Sequence, residues 1–143
     1  MMSPRKMNRK GEKPMVKNPI RWFEIYVQDM ERAKHFYESV LGVKLNQITN
    51  PVTLSTPSLE LWGFPASMEE YGASGALVKM EGASSGAVGT IVYFASDDCA
   101  IEEARVRRFG GKIQRSKTSI GEYGFISLAA DTEGNIFGIH SMK

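Results

Sequence analysis

The run IRWFEIYV (20–27) is dense in aromatic and β-branched residues and predicts a strand. Directly after it, DMERAKHFYESVLG sets Ala33, Phe36, Tyr37, Val40 and Leu41 at the spacing of one buried helical face. Asp29 is placed to cap that helix and Gly42 to stop it. His35 falls off the apolar face and reads as a solvated helix residue. Weaker strands are expected near 43–48, 58–63 and 75–80, with FPASMEEYGASG as a loop between the last two. A small, Gly/Ser-rich stretch, EGASSGAVG (81–89), then breaks the pattern.

Beyond it the order recurs. GTIVYFAS (89–96) predicts a strand, DCAIEEARVRRFG a helix capped by Asp98, KIQR a short strand, and YGFISLAAD (123–131) and NIFGIHS (135–141) two more. Gly42 follows Asp29 by 13 residues and Gly111 follows Asp98 by 13, so the halves share a register 69 residues apart. Few identities survive, so the repeat is one of pattern. The expectation is one α+β domain over 19–143, built from β-α-β-β-β modules at 19–80 and 88–143 joined by a linker at 81–87. Together they give a curved eight-stranded mixed sheet with helices on its outer face.

Strand alternation divides the side chains between two faces. Phe23, Ile25 and Val27 form an apolar row expected under the helix, which leaves Trp22, Glu24 and Tyr26 opposite. By the same rule Leu59 and Leu61 should face the helix and Glu60 and Trp62 the other way. Ile126 and Leu128 should oppose Phe125 and Ser127, and Phe137 and Ile139 should oppose Gly138 and His140. With Tyr93, the face away from the helices then collects aromatics, two carboxylates and a histidine. That mix suits a ligand pocket better than a plain core. Its expected lining is Trp22, Glu24, Tyr26, Glu60, Trp62, Tyr93, Phe125 and His140, with Glu24 and His140 as the acid–base pair if there is catalysis.

Charge and composition narrow the classes. Residues 1–18 carry six bases against Glu12, while the rest of the chain is mildly acidic. The basic segment has neither stacking aromatics nor an amphipathic period, and reads as a disordered leader rather than a nucleic-acid or membrane arm. It has no apolar stretch behind its bases, unlike a secretory signal. No apolar run approaches the roughly 18 residues of a membrane span. The one cysteine, Cys99, excludes an internal disulfide and a Cys-based zinc cluster, and suits a reducing, cytoplasmic setting. DTEGN (131–135) is a tight turn with Gly134 at the positive-φ position, and its spacing is wrong for an EF-hand. Walker, dinucleotide-binding and Ser-His-Asp signatures are absent.

Three segments in this order, WFEIYVQDMERAKHFYESVLGV, DDCAIEEARVRRFGGKI and YGFISLAADTEGNIFGIHS, resemble the vicinal oxygen chelate superfamily. This group includes glyoxalases, extradiol dioxygenases, an acyl-CoA epimerase and bleomycin-resistance proteins. The resemblance implies a cavity inside the curved sheet, a small-molecule ligand, frequent dimers, and a divalent metal held by His or Glu on four strands. Carried over strand by strand, the ligand positions fall on Trp22, Ile91 and Gly138, and the fourth strand, GALVKM, offers no carboxylate or imidazole. The expectation is therefore a homodimeric protein that binds a small organic molecule in an aromatic cup without metal or other cofactor. The alternative is a lyase, isomerase or dioxygenase with a metal displaced onto Glu24, His140 and Glu60. An interaction protein acting through the basic leader ranks third.

Overall fold

A computed structural model describes residues 18–143; apart from Asn18, the expected leader lies outside the described residues. The first module runs β1 (Ile20–Tyr26), α1 (Met30–Leu41), β2 (Asn46–Ile48), α2 (Pro51–Ser55), β3 (Glu60–Gly63) and β4 (Ser74–Lys79). The second runs β5 (Thr90–Ala95), α3 (Cys99–Arg108), β6 (Lys112–Ser119), β7 (Phe125–Ala130) and β8 (Ile136–Ser141). All eight strands form one sheet in the order β2-β3-β4-β1-β5-β8-β7-β6, which is not closed. Within the modules β1 pairs parallel with β4 and β5 with β8, while the modules meet through the antiparallel pair β1–β5. The expected α+β architecture is the one observed.

Local chemistry explains the helix ends. The Arg32 N–H donates to Asp29 Oδ1 at 3.0 Å, and Gly42 leaves α1 in the left-handed region at φ 65°. The Ala100 N–H donates to Asp98 Oδ1 at 3.1 Å, but the second helix does not copy the first at its end. It stops at Phe109, and Gly110 rather than Gly111 takes the positive φ. Gly111 is needed for close approach instead, since a Cβ there would lie 2.7 Å from the Ala130 carbonyl oxygen. The short α2 was not expected. Asn50 Oδ1 accepts from the N–H groups of Val52 and Thr53, and the Asn50 N–H donates back to Thr53 Oγ1, so the NPVT sequence makes its own capping box.

On the outer face Met30, Leu45 and Leu77 are buried, with Ile25, Val27, Ala33, Tyr37, Trp62 and Phe64 packed against them. Burying a side chain such as Leu77 contributes about 1.5–3 kcal/mol. The expected burial of a five-residue stripe on α1 holds only for Ala33 and Tyr37. Phe36, Val40 and Leu41 remain 57%, 63% and 55% exposed, because α1 rests on the sheet along the Met30–Ala33–Tyr37 line and turns these side chains away from it.

Against α3, Glu103 is buried, and its Oε1 accepts from the Lys117 N–H at 2.8 Å and the Ser127 hydroxyl at 3.0 Å. Ser141 Oγ receives the Cys99 N–H at 3.0 Å, which ties the start of α3 to the end of β8. These contacts put Ser127 and Ser141 on the helix side.

Candidate functional site

The concave face encloses a cavity of about 640 Å³. Trp22, Glu24 and Tyr26 line it from β1, Tyr93 from β5 and His140 from β8, as alternation predicts. Three other expected lining residues do not reach it. Trp62 packs in the outer core, with Lys34 Nζ 3.4 Å from its ring centroid, and its indole N–H donates to Glu60 Oε1 at 2.9 Å. Phe125 lies on the α3 side, with Lys117 Nζ 4.7 Å from its centroid. In their place Leu59, Leu61, Ile126 and Leu128 face the cavity. The assignment failed there because the cup is itself apolar, so the more hydrophobic row of a strand does not identify its helix side.

Glu24 is the polar centre of the floor. The Trp22 indole N–H donates to Oε2 at 3.1 Å, and the Tyr26 and Tyr93 hydroxyls donate to Oε1 at 3.0 and 2.9 Å. Alternation puts Trp22, Glu24 and Tyr26 on one face of β1, and the register Trp22↔Tyr93 brings the second phenol in from β5. Burial raises the Glu24 pKa, opposed by the bonds from Tyr93, Trp22 and Tyr26. Burial first, and then the nearby Glu24 charge, raise Tyr26 and Tyr93, so both phenols keep their protons and remain donors.

Tyr93 lies over β8, where it pairs with Gly138. A Cβ at 138 would stand 2.2–2.7 Å from ring atoms of Tyr93, so the ring takes the space that any larger residue would need. His140 sits farther along β8, its Nε2 2.6 Å from the Tyr123 carbonyl oxygen. Nε2 must carry the proton to donate there, which leaves Nδ1 as an acceptor; it is buried and, among the described residues, has no hydrogen-bond partner. Burial lowers the His140 pKa, opposed by the bond to Tyr123, with Arg21 adding a smaller repulsion, so the ring is neutral near pH 7.

The residues present do not fit a metal at the family's position, since Trp22, Ile91 and Gly138 offer no ligand atoms and Tyr93 overlies Gly138. The displaced trio does not assemble either. Glu60 bonds Trp62 in the outer layer, Glu24 is enclosed by three donors, and His140 Nε2 is held by Tyr123. Among the described residues no group of three or more His, Cys, Asp or Glu side chains is arranged to hold a metal ion.

Sequence reasoning missed Arg21 and Arg115, which line the cavity, together with Tyr123. Arg115 lies near enough to Tyr26 and Tyr93 for its charge to act on both. Its backbone carbonyl is 3.1 Å from Ser127 Oγ, on a strand interrupted by two register shifts. KIQR predicts a short strand, and nothing in it signals a cavity wall.

Paired β-α-β-β-β modules forming one concave sheet around a cavity define a class of fold. Residues 20–139 match the Glyoxalase/Bleomycin resistance protein/Dioxygenase superfamily, and the chain belongs to it. No curated protein matches significantly. Among solved structures, the chain is similar to a variant Streptomyces coelicolor methylmalonyl-CoA epimerase in complex with 2-nitronate-propionyl-CoA. The TM-score is 0.63 at 15% identity, over 86% of this chain and 96% of the other. The Mycobacterium tuberculosis methylmalonyl-CoA epimerase gives 0.63 at 15%, over 87% and 88%. A hypothetical protein from Bacillus halodurans C-125 gives 0.63 at 11%, over 87% and 94%. At such identities these likenesses show the fold alone.

Proposed function

We propose that this chain binds a small organic molecule in the cup, without a metal, with Glu24 as its polar anchor. The observation that carries the reading is the Trp22–Glu24–Tyr26–Tyr93 cluster at the floor of an otherwise largely apolar cavity. His140 serves as a neutral wall residue that fixes the Tyr123 segment. The test is a small-molecule screen by thermal shift on chelator-treated protein. Hits should weaken in Glu24→Ala and stay unchanged in Phe125→Ala, which lies outside the cup. Hits that ignore Glu24→Ala, or that require an added divalent ion, would overturn it.

The same reading includes a homodimer in a reducing, cytoplasmic setting. Phe36 and Val40 on α1 and Val92 and Phe94 on β5 leave apolar surface exposed on the side away from the cup, and Cys99 is a free, buried thiol. No described helix is long and apolar enough to cross a membrane.

A further inference from the structure

The floor of the cup has a charge problem that the protein leaves unsolved. Glu24 receives three hydrogen bonds, all from neutral donors. Among the described residues no Lys, Arg or His nitrogen forms an ion pair with it. Hydrogen bonds from phenols and an indole moderate a buried carboxylate without neutralising it. The charged residues lining the cavity are Arg21 and Arg115 against Glu24, Glu70 and Glu122, an excess of one negative charge.

The same atoms specify what would complete the site. Each phenol gives its only proton to Oε1 and keeps acceptor lone pairs that no described donor uses. An ionised carboxylate has about four acceptor sites, of which three are taken. The floor thus offers three acceptors close together, on Glu24, Tyr26 and Tyr93, while Arg21 and Arg115 stand on the cavity wall, Arg115 within electrostatic reach of both phenols. An incoming alcohol would use one of them and leave the charge unbalanced, whereas a carboxylate placed on Glu24 would meet its lone pairs and add to its charge. A protonated amine brings three N–H donors and one positive charge among rings whose π-faces also favour cations. We propose that the ligand is a hydrophobic amine bound as its ammonium ion, with its nitrogen on Glu24, Tyr26 and Tyr93 and its apolar body against Leu61 and Ile126. This rests on the reading above that the cup binds a small organic molecule.

The test holds the apolar body constant and varies the head group. Phenylethyl, naphthylmethyl and n-octyl bodies are each measured as amine, alcohol and carboxylate, by calorimetry on the full chain at pH 7. The amine should bind at least tenfold more tightly than either the alcohol or the carboxylate for the body that fits best. Glu24→Gln should lower amine affinity at least tenfold and change alcohol affinity less than threefold. Tyr93→Phe, which keeps the ring, should weaken the amine in the same direction and serves if Glu24→Gln fails to fold. Alcohols or carboxylates binding as tightly as amines would overturn the charge assignment and leave the cup reading standing. No binding by any member of the series would overturn both.

Discussion

Gly138→Ala is a one-methyl change with a large expected effect. The added Cβ would stand 2.2 Å from Tyr93 Cδ2 and 2.4 Å from Cε2, well inside contact distance, on a strand held on both sides by neighbours. Either β8 shifts or the Tyr93 ring swings away, and the ring is the freer of the two. Overpacking of this kind costs about 1–3 kcal/mol. Moving the ring also breaks the Tyr93–Glu24 hydrogen bond of 2.9 Å, a bond to a charged acceptor and so about 1.5–3 kcal/mol. Loss of about 3 kcal/mol or more should lower the melting temperature by roughly 10 °C in a chain of this size.

The assay is thermal unfolding of a double-mutant cycle with Tyr93→Ala. Once the ring is gone, Gly138→Ala should cost little more, so the two changes together should be far less harmful than the sum of the singles. Gly134→Ala is the control, because its Cβ meets nothing and only its φ of 83° is strained, at about 1 kcal/mol. A melting point for Gly138→Ala within 2 °C of the parent, as a rough threshold, or strict additivity in the cycle, would refute the placement of the Tyr93 ring over β8.

The buried carboxylate should show in the pH dependence of stability. Below about pH 4.5 Glu24 carries its proton in both states; as pH rises from there to the raised folded value, the unfolded chain releases its proton first. Stability then falls by about 1.4 kcal/mol per unit of upward shift. Urea unfolding of Glu24→Gln beside the parent should therefore show the difference moving in favour of Gln between pH 4.5 and 7, and parallel curves would count against it. Asn50→Ala removes both bonds accepted by its side chain at the start of α2 and should cost about 1 kcal/mol by the same method. Phe36→Ser with Phe94→Ser should convert a dimer to monomer in light scattering without loss of ligand affinity. An unchanged mass would place the interface elsewhere.

The sequence revealed the module repeat better than the orientation of its strands. Asp29 and Asp98 marked both helix starts because capping is local chemistry, written in adjacent residues. Trp22, Glu24 and Tyr26 are legible as cup residues because β1 has a carboxylate on only one of its rows, and its uniformly apolar row faces the helix. On β3 and β7 the rule inverted. Leu61 and Ile126 serve an apolar cavity, while Trp62 is covered by Lys34 and Ser127 bonds a buried Glu103, and these partners are distant in sequence. Arg115 was illegible for a related reason. Its position on the wall depends on irregular β6–β7 pairing, which no residue type in that segment announces.

The two borders of the sheet bear on how copies of the chain can meet. One is β2, only three residues long and followed at once by α2; the other is β6, which carries Lys112, Arg115 and Lys117 and pairs irregularly with β7. A short border and a charged, distorted one are poor templates for another strand. Extension of the sheet from molecule to molecule, the route to fibrous aggregation, is disfavoured at both ends. The proposed homodimer would therefore form through the apolar outer surface, where association can stop at a pair.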